Sequence, residues 1–144
     1  RDDCSSRGLE MCIRDRDKDS LNSFRLDRKS GRVGGTTVVF DSNNNALYFS
    51  KEIIPFLDEK RSMQTEACPI FHHVGVYAYR PEILSKYHTW KESNLETLEG
   101  LEQLRFLENS CAIKCVLVDS KGRTFWELNN PEDVMKIERA IREI

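Results

Sequence analysis

No apolar run in the 144 residues approaches the roughly 20 residues that a membrane-spanning helix needs. Nor is there a strong charge of either sign. With 22 basic and 24 acidic side chains the net charge is −2, which leaves no electrostatic footprint for nucleic acid and no polybasic patch for anionic lipid. An anionic ligand would have to be captured by local residues. Paired C-x-x-C spacing is also missing: Cys4, Cys12, Cys68, Cys111 and Cys115 are odd in number and scattered, so neither a zinc site nor a disulfide framework is expected, and reduced thiols in a cytoplasmic protein are. The sequence has no initiator Met and no charged stretch leading into the apolar core of a signal peptide. The expectation is a piece of a longer chain. What is present, 39% apolar and 32% charged residues, has the balance of one soluble domain or part of one.

Residues 1 to about 32 alternate Arg, Asp and Ser with little apolar periodicity, too little to offset the entropy of ordering them. They are expected to form a disordered leader. The run S-S-R-G-L-E-M-C-I-R-D-R within them resembles translated sequencing-adapter read-through, which would make the leader foreign to the domain. Residues 33–144 are then the expected domain. T-T-V-V-F and A-L-Y-F-S read as two strands joined by a turn at Asp41 to Asn45. Pro55 ends the pattern, and 57–68 read as an exposed loop. Val74 to Tyr79 is a third strand, with Gly75, Tyr77 and Tyr79 on one face.

Pro81 suits the first turn of a short helix running to about His88. Ser93 and Glu96 form a capping box at the start of a helix expected over 94–109. Cys111 to Val118 reads as a strand, T-F-W-E-L as a further short one, and Asn130 with Pro131 as the start of a last helix. Val134, Ile137 and Ile141 make its expected buried stripe. Strands and helices alternate, which predicts a layered α/β domain.

In the 94–109 segment, leucines recur at 95, 98, 101, 104 and 107, so their stripe drifts around a single helix instead of holding one line. On such a helix Glu102 falls between Leu98 and Phe106, a carboxylate in an apolar sector. Either Glu102 and its neighbour Gln103 face a ligand, or Glu102 snorkels or pairs with an Arg. His72 and His73 precede the third strand; their rings lie on opposite faces if the strand has already begun there, and one of them could face a pocket. Tyr77 and Tyr79 either line that pocket or bury their rings and leave the hydroxyls wet. Lys51 either pairs with a carboxylate or is solvated. Asn129, Asn130, Glu132 and Asp133 are explained by helix capping alone.

Three blocks carry a resemblance. A-L-Y-F-S-K-E-I-I-P at 46–55 is similar to A-L-Y-F-S-R-x-x-I-P of the 3-deoxy-manno-octulosonate cytidylyltransferase (CMP-KDO synthetase) family. H-V-G-V-Y-A-Y-R at 73–80 is similar to its H-I-G-I-Y-G-Y-R, and S-N-L-E-T-L-E-G-L-E-Q-L-R at 93–105 to its S-P-L-E-x-x-E-x-L-E-Q-L-R. The order and spacing match over 36–143. The resemblance implies the C-terminal, sugar-acid-binding part of a Rossmann-like α/β nucleotide-diphospho-sugar transferase fold. It implies transfer of CMP from CTP to 3-deoxy-D-manno-octulosonate (KDO) with release of pyrophosphate, for lipopolysaccharide biosynthesis, with Mg2+ as cofactor and a cytoplasmic homodimer as the assembly. His73, Tyr79, Glu102 and Gln103 would line the sugar pocket, with Ser50 and Lys51 near the sugar carboxylate. The Y-F-S and G-V-Y-A-Y segments also look like the family's subunit contact.

Three departures stand out. Lys51 replaces the family Arg and loses its bidentate fork. L-N-N-P-E-D replaces V-D-T-P-E-D, so Asn129 stands where a metal-binding aspartate is expected, and Glu127 is the alternative ligand. The family's P-A-R-x-x-S-x-R-x-x-x-K loop and Q-G-D-E-P motif are not in the sequence, so the chain alone is expected to be inactive. Two other readings remain: activation of another sugar acid, such as a nonulosonic acid, or a non-catalytic module that binds a sugar acid or dimerises.

Overall fold

The computed structural model describes residues 9–15, 18–33, 35–58, 68–119, 131 and 133–142. Five strands, β1 (Leu9–Asp15), β2 (Thr37–Phe40), β3 (Ala46–Ser50), β4 (Phe71–Tyr79) and β5 (Ile113–Leu117), form one sheet in the order β3-β2-β4-β1-β5. All the pairings are antiparallel except that of β1 with β5. The expected mixed α/β layering is present, and β2, β3 and β5 lie where their β-branched and aromatic runs put them. The β2–β3 hairpin turns at D-S-N-N-N. There Asp41 Oδ1 accepts the backbone N–H groups of Asn43 and Asn45, each at 2.8 Å, and Asn44 takes φ 59°. The Asn45 N–H, ahead of the other donors, holds the Asp41 carboxyl below its usual range.

The leader departs from expectation. L-E-M-C-I alternates with period two, and Leu9, Met11 and Ile13 are each about 1% exposed while Glu10 faces solvent. Paired on both sides, by β4 and β5, the segment gains from the sheet the hydrogen bonds that its local composition did not promise. Helix α1 (Lys18–Lys29) follows and buries Leu21 and Phe24, one turn apart. An ion pair from Arg28 to Glu52 ties α1 to the segment after β3. Cys111 is disulfide-bonded, so the expectation of uniformly reduced thiols does not hold for it.

The expected helix over 94–109 is two helices. After α2 (Pro81–Tyr87), α3 (Asn94–Glu99) opens on the capping box of Ser93 and Glu96 and ends at Gly100, whose φ of 62° is left-handed. The N–H groups of Gly100 and Leu101 both close on the Glu96 carbonyl, at 2.7 and 3.2 Å, and α4 (Gln103–Glu108) starts in a new direction. Leu98, placed in an apolar sector on an unbroken helix, is 74% exposed, whereas Leu104 and Phe106 are in the core. The last helix, α5 (Asp133–Arg142), also differs: Val134 and Ile141 are exposed and Ile137 half-buried, so the expected stripe meets no core among the described residues. The T-F-W-E-L strand and the Asn130 cap lie outside the described residues, as does most of the 57–68 loop.

At Gly100 a Cβ would meet the Lys51 ammonium at 2.6 Å as well as the left-handed backbone. Gly100→Ala is therefore expected to lower the unfolding free energy by about 1–2 kcal/mol. Urea unfolding followed by far-ultraviolet circular dichroism measures this, and an unchanged midpoint would contradict the break described.

Candidate functional site

Strand β4 supplies one wall. His73, Gly75, Tyr77 and Tyr79 alternate onto one face, and in a regular strand His73 and Tyr77 would sit about 13 Å apart. A bulge alters this: Met11 pairs with Tyr77 and Ile13 with His73, so four-residue spacing on β4 matches two on β1. The His73 and Tyr77 ring centroids come to 5.2 Å, and Tyr77 stacks on Tyr79 at 5.7 Å. Tyr79 packs on Phe106 of α4, which stacks on Tyr87 of α2 at 4.9 Å. Strand and helices are thus joined by a continuous row of rings. A Cβ built on Gly75 would meet open space, so no described backbone uses the approach that glycine permits.

The start of α4 supplies the polar groups. Glu102 is exposed and is the N-terminal boundary residue of α4, not a carboxylate held in an apolar sector. The break at Gly100 removes the helical register that would have put it between Leu98 and Phe106. Burial, reinforced by the negative charge of Glu102, raises the Tyr79 phenol above its ordinary value, so these two predicted residues share an environment. Gln103 is 3% exposed, and its Nε2 has no hydrogen-bond partner among the described residues. A buried amide donor left unmade costs about 1–3 kcal/mol, which a ligand acceptor would recover.

A second group forms where β3 meets α3, around a residue that the sequence reading left unassigned. Both oxygens of the Glu99 carboxylate are engaged. Oε1 accepts from Ser50 Oγ at 2.7 Å and from the Tyr48 hydroxyl at 3.2 Å, and Oε2 accepts the backbone N–H of Lys51 at 3.0 Å. Ser50 Oγ in turn accepts the Glu52 N–H at 2.9 Å. Ser50 is buried and Lys51 half-buried, with the Lys51 ammonium lying over Gly100. The available signal was Glu99 itself, the middle glutamate of S-N-L-E-T-L-E-G-L-E-Q, directly before the glycine.

Glu96 and Arg105 fix the angle between α3 and α4. Arg105 donates from Nε and Nη2 to the two Glu96 oxygens, both at 2.6 Å, in a pair largely shielded from water. Its guanidinium lies 4.3 Å from the Tyr87 ring centroid, and Nη1 reaches the Trp90 carbonyl at 3.4 Å. The Arg105 guanidinium, helped by the Ser93 N–H, outweighs burial and holds the Glu96 carboxyl below its usual range. Arg105 is raised by the same pairing.

A family profile described as Cytidylyltransferase matches residues 32–117. The chain belongs to the cytidylyltransferase family. It is 41% identical over 118 residues to 3-deoxy-manno-octulosonate cytidylyltransferase of Maricaulis maris, an alignment covering 82% of this chain and 44% of that protein. It is 38% identical over 104 residues to 8-amino-3,8-dideoxy-manno-octulosonate cytidylyltransferase of a Shewanella species, covering 72% and 39%. The solved structure of CMP:2-keto-3-deoxy-manno-octonic acid synthetase complexed with CTP shares the fold, with a TM-score of 0.69 at 24% identity over 96% of this chain and 51% of that one. The chain therefore spans about half the length of the proteins it matches or less.

Ser50, Lys51, His73, Tyr79, Glu102 and Gln103 all fall within the cytidylyltransferase match. Glu127 and Asn129 lie outside the described residues. Among the described residues no group of three or more His, Cys, Asp or Glu side chains could hold a metal ion.

Removing one partner of the shielded pair leaves the other charge without its counterion. Arg105→Ala is expected to lower stability by about 3 kcal/mol near neutral pH. The Glu96 pKa is depressed in the folded chain, so this stability is fully present above the ordinary carboxyl value of 4.5 and is lost as pH falls through the lower native value. The gap between wild type and variant should narrow correspondingly in acid. Urea titrations between pH 7 and pH 3 check both the size and the narrowing, and a constant gap would exclude the charge pair as its source.

Proposed function

We propose that this chain forms the sugar-acid side of a cytidylyltransferase that transfers CMP from CTP to 3-deoxy-D-manno-octulosonate. The anomeric hydroxyl oxygen attacks the α-phosphorus of CTP. A phosphorus–oxygen bond to the sugar forms as the bond to the bridging oxygen breaks, pyrophosphate leaves, and the hydroxyl proton passes to solvent. What supports the reading most is the buried, unmet Gln103 amide, within the family match and beside Glu102 and Tyr79 in a segment similar to known relatives. His73 and Tyr79 would pack against the sugar, Glu102 would accept from its hydroxyls, Gln103 would donate, and the Lys51 ammonium would face its carboxylate. A polyhydroxylated acid needs this mixture of one cation, acceptors and donors.

Magnesium dependence and a role in lipopolysaccharide biosynthesis are proposed for the whole enzyme, and no step above runs through the metal. No described helix is long and apolar enough to cross a membrane, and a cytoplasmic location is proposed. A homodimer is proposed through the segments of β3 and β4 that resemble the family's subunit contact, where Leu47 and Val76 are exposed. The chain alone is proposed to be inactive, because P-A-R-x-x-S-x-R-x-x-x-K and Q-G-D-E-P are not in it.

In the full-length enzyme, pyrophosphate release with CTP and a panel of 3-deoxy-manno-octulosonate, its 8-amino analogue and a nonulosonic acid should show preference for the first. Equal rates on all three would remove that substrate assignment. Gln103→Met is expected to raise the KM for the sugar acid about tenfold while leaving stability unchanged or improved, because it deletes a buried donor that the folded chain leaves unpaired. A drop in stability with an unchanged KM would mean that Gln103 has a packing role only.

A further inference from the structure

The two polar parts of the site come from distant stretches of chain, and Glu99 joins them. The hydrogen bond from the Lys51 N–H to its carboxylate spans 48 residues, and those from Ser50 and Tyr48 span 49 and 51. On the α3 side, Glu99 is the last helical residue, Gly100 follows with its left-handed turn, and Glu102 and Gln103 open the next helix. On the β3 side, the same three bonds hold the end of the strand. The Lys51 ammonium is left over Gly100 with neither a hydrogen bond nor an ion pair among the described residues.

This bonding divides the roles of Ser50 and Lys51. The Ser50 hydroxyl and the Lys51 amide are both donating to Glu99, so they are not free to bind a substrate carboxylate. The side-chain ammonium of Lys51 is the cation that remains at this corner. Its position follows from its backbone, and that backbone is fixed by Glu99. We infer that Glu99 is the positioning residue of the sugar-acid site: it locks the end of β3 to the α3–α4 turn and so aims the Lys51 ammonium at the substrate carboxylate. The inference rests on the proposed sugar-acid activity for its function and on the hydrogen bonds alone for its geometry.

Glu99→Met tests it. A methionine has similar length and no oxygen acceptor, so the bonds to Tyr48, Ser50 and Lys51 are all lost. In the full-length enzyme the KM for the sugar acid should rise about tenfold, with kcat and the KM for CTP changed less than about twofold. In a Lys51→Met background the same substitution should add less than about twofold, because the group being aimed is already gone. Full additivity of the two changes, or an equal fall in kcat and rise in both KM values, would overturn the proposal in favour of a purely structural role.

A second measurement on the present chain keeps the geometry separate from the activity. Burial, and after it the Glu99 and Glu108 charges, raise the Tyr48 phenol above its ordinary value. Glu99→Met should therefore lower the Tyr48 titration midpoint, followed by tyrosine ring NMR and assigned with Tyr48→Phe. If the full-length enzyme turned over no sugar acid, the activity reading would fail while a shifted Tyr48 midpoint still confirmed the cluster. An unmoved Tyr48 midpoint in a folded variant would overturn the inference whatever the enzyme did.

Discussion

The paired contact between Glu96 and Arg105 is the constraint on which the helical side of this domain depends. Taking a carboxylate and a guanidinium out of water is expensive, and it is tolerated only where the geometry is good and the remaining donors are met. Here Arg105 makes two short bonds to one carboxylate and lies against Tyr87 while also reaching the Trp90 carbonyl. The pair links one residue of α3 with one of α4, so it is satisfied only when the chain bends between them. Gly100 makes that bend possible, and the buried pair makes it specific.

Once α4 is turned, Phe106 becomes the meeting point of α2, α4 and β4. The row of rings from His73 to Tyr87 depends equally on the β4 bulge, which shortens the distance between His73 and Tyr77. Bulge and bend deliver their polar groups to the same neighbourhood: Tyr79 from the strand, Glu102 and Gln103 from the helix. Glu99, at the bend itself, brings in the end of β3. Irregularities in regular elements, rather than the elements themselves, build the site.

Some of this could be read directly from residue order. The leucines at every third position were incompatible with one straight stripe on a helix of 3.6 residues per turn, and that misfit is the mark left by the break. Gly100 alone did not reveal it, because a glycine inside a helix and a glycine ending one look alike in a single sequence. Leu9, Met11 and Ile13 show the period of a strand, yet they lie among Arg, Asp and Ser residues that local composition assigns to no structure. Both errors concern partners that are remote in sequence. The Glu96 to Arg105 pair was partly visible, since an Arg was weighed as a partner for a glutamate in this segment, although for Glu102 and not Glu96.

The sequence by itself determined the strands at β2, β3 and β5, the capping box at Ser93, and the family to which blocks 46–55, 73–80 and 93–105 point. These depend on side-chain type at short spacing, where sterics and local hydrogen bonds act within a few residues. Tertiary structure alone decided that Ser50 and the Lys51 amide serve Glu99, that Gln103 is buried with an unmet donor while Glu102 is exposed, and that His73 meets Tyr77. Each of these outcomes depends on which distant backbone donor or ring arrives at a given point, and only packing through the sheet and across the α3–α4 bend sets that.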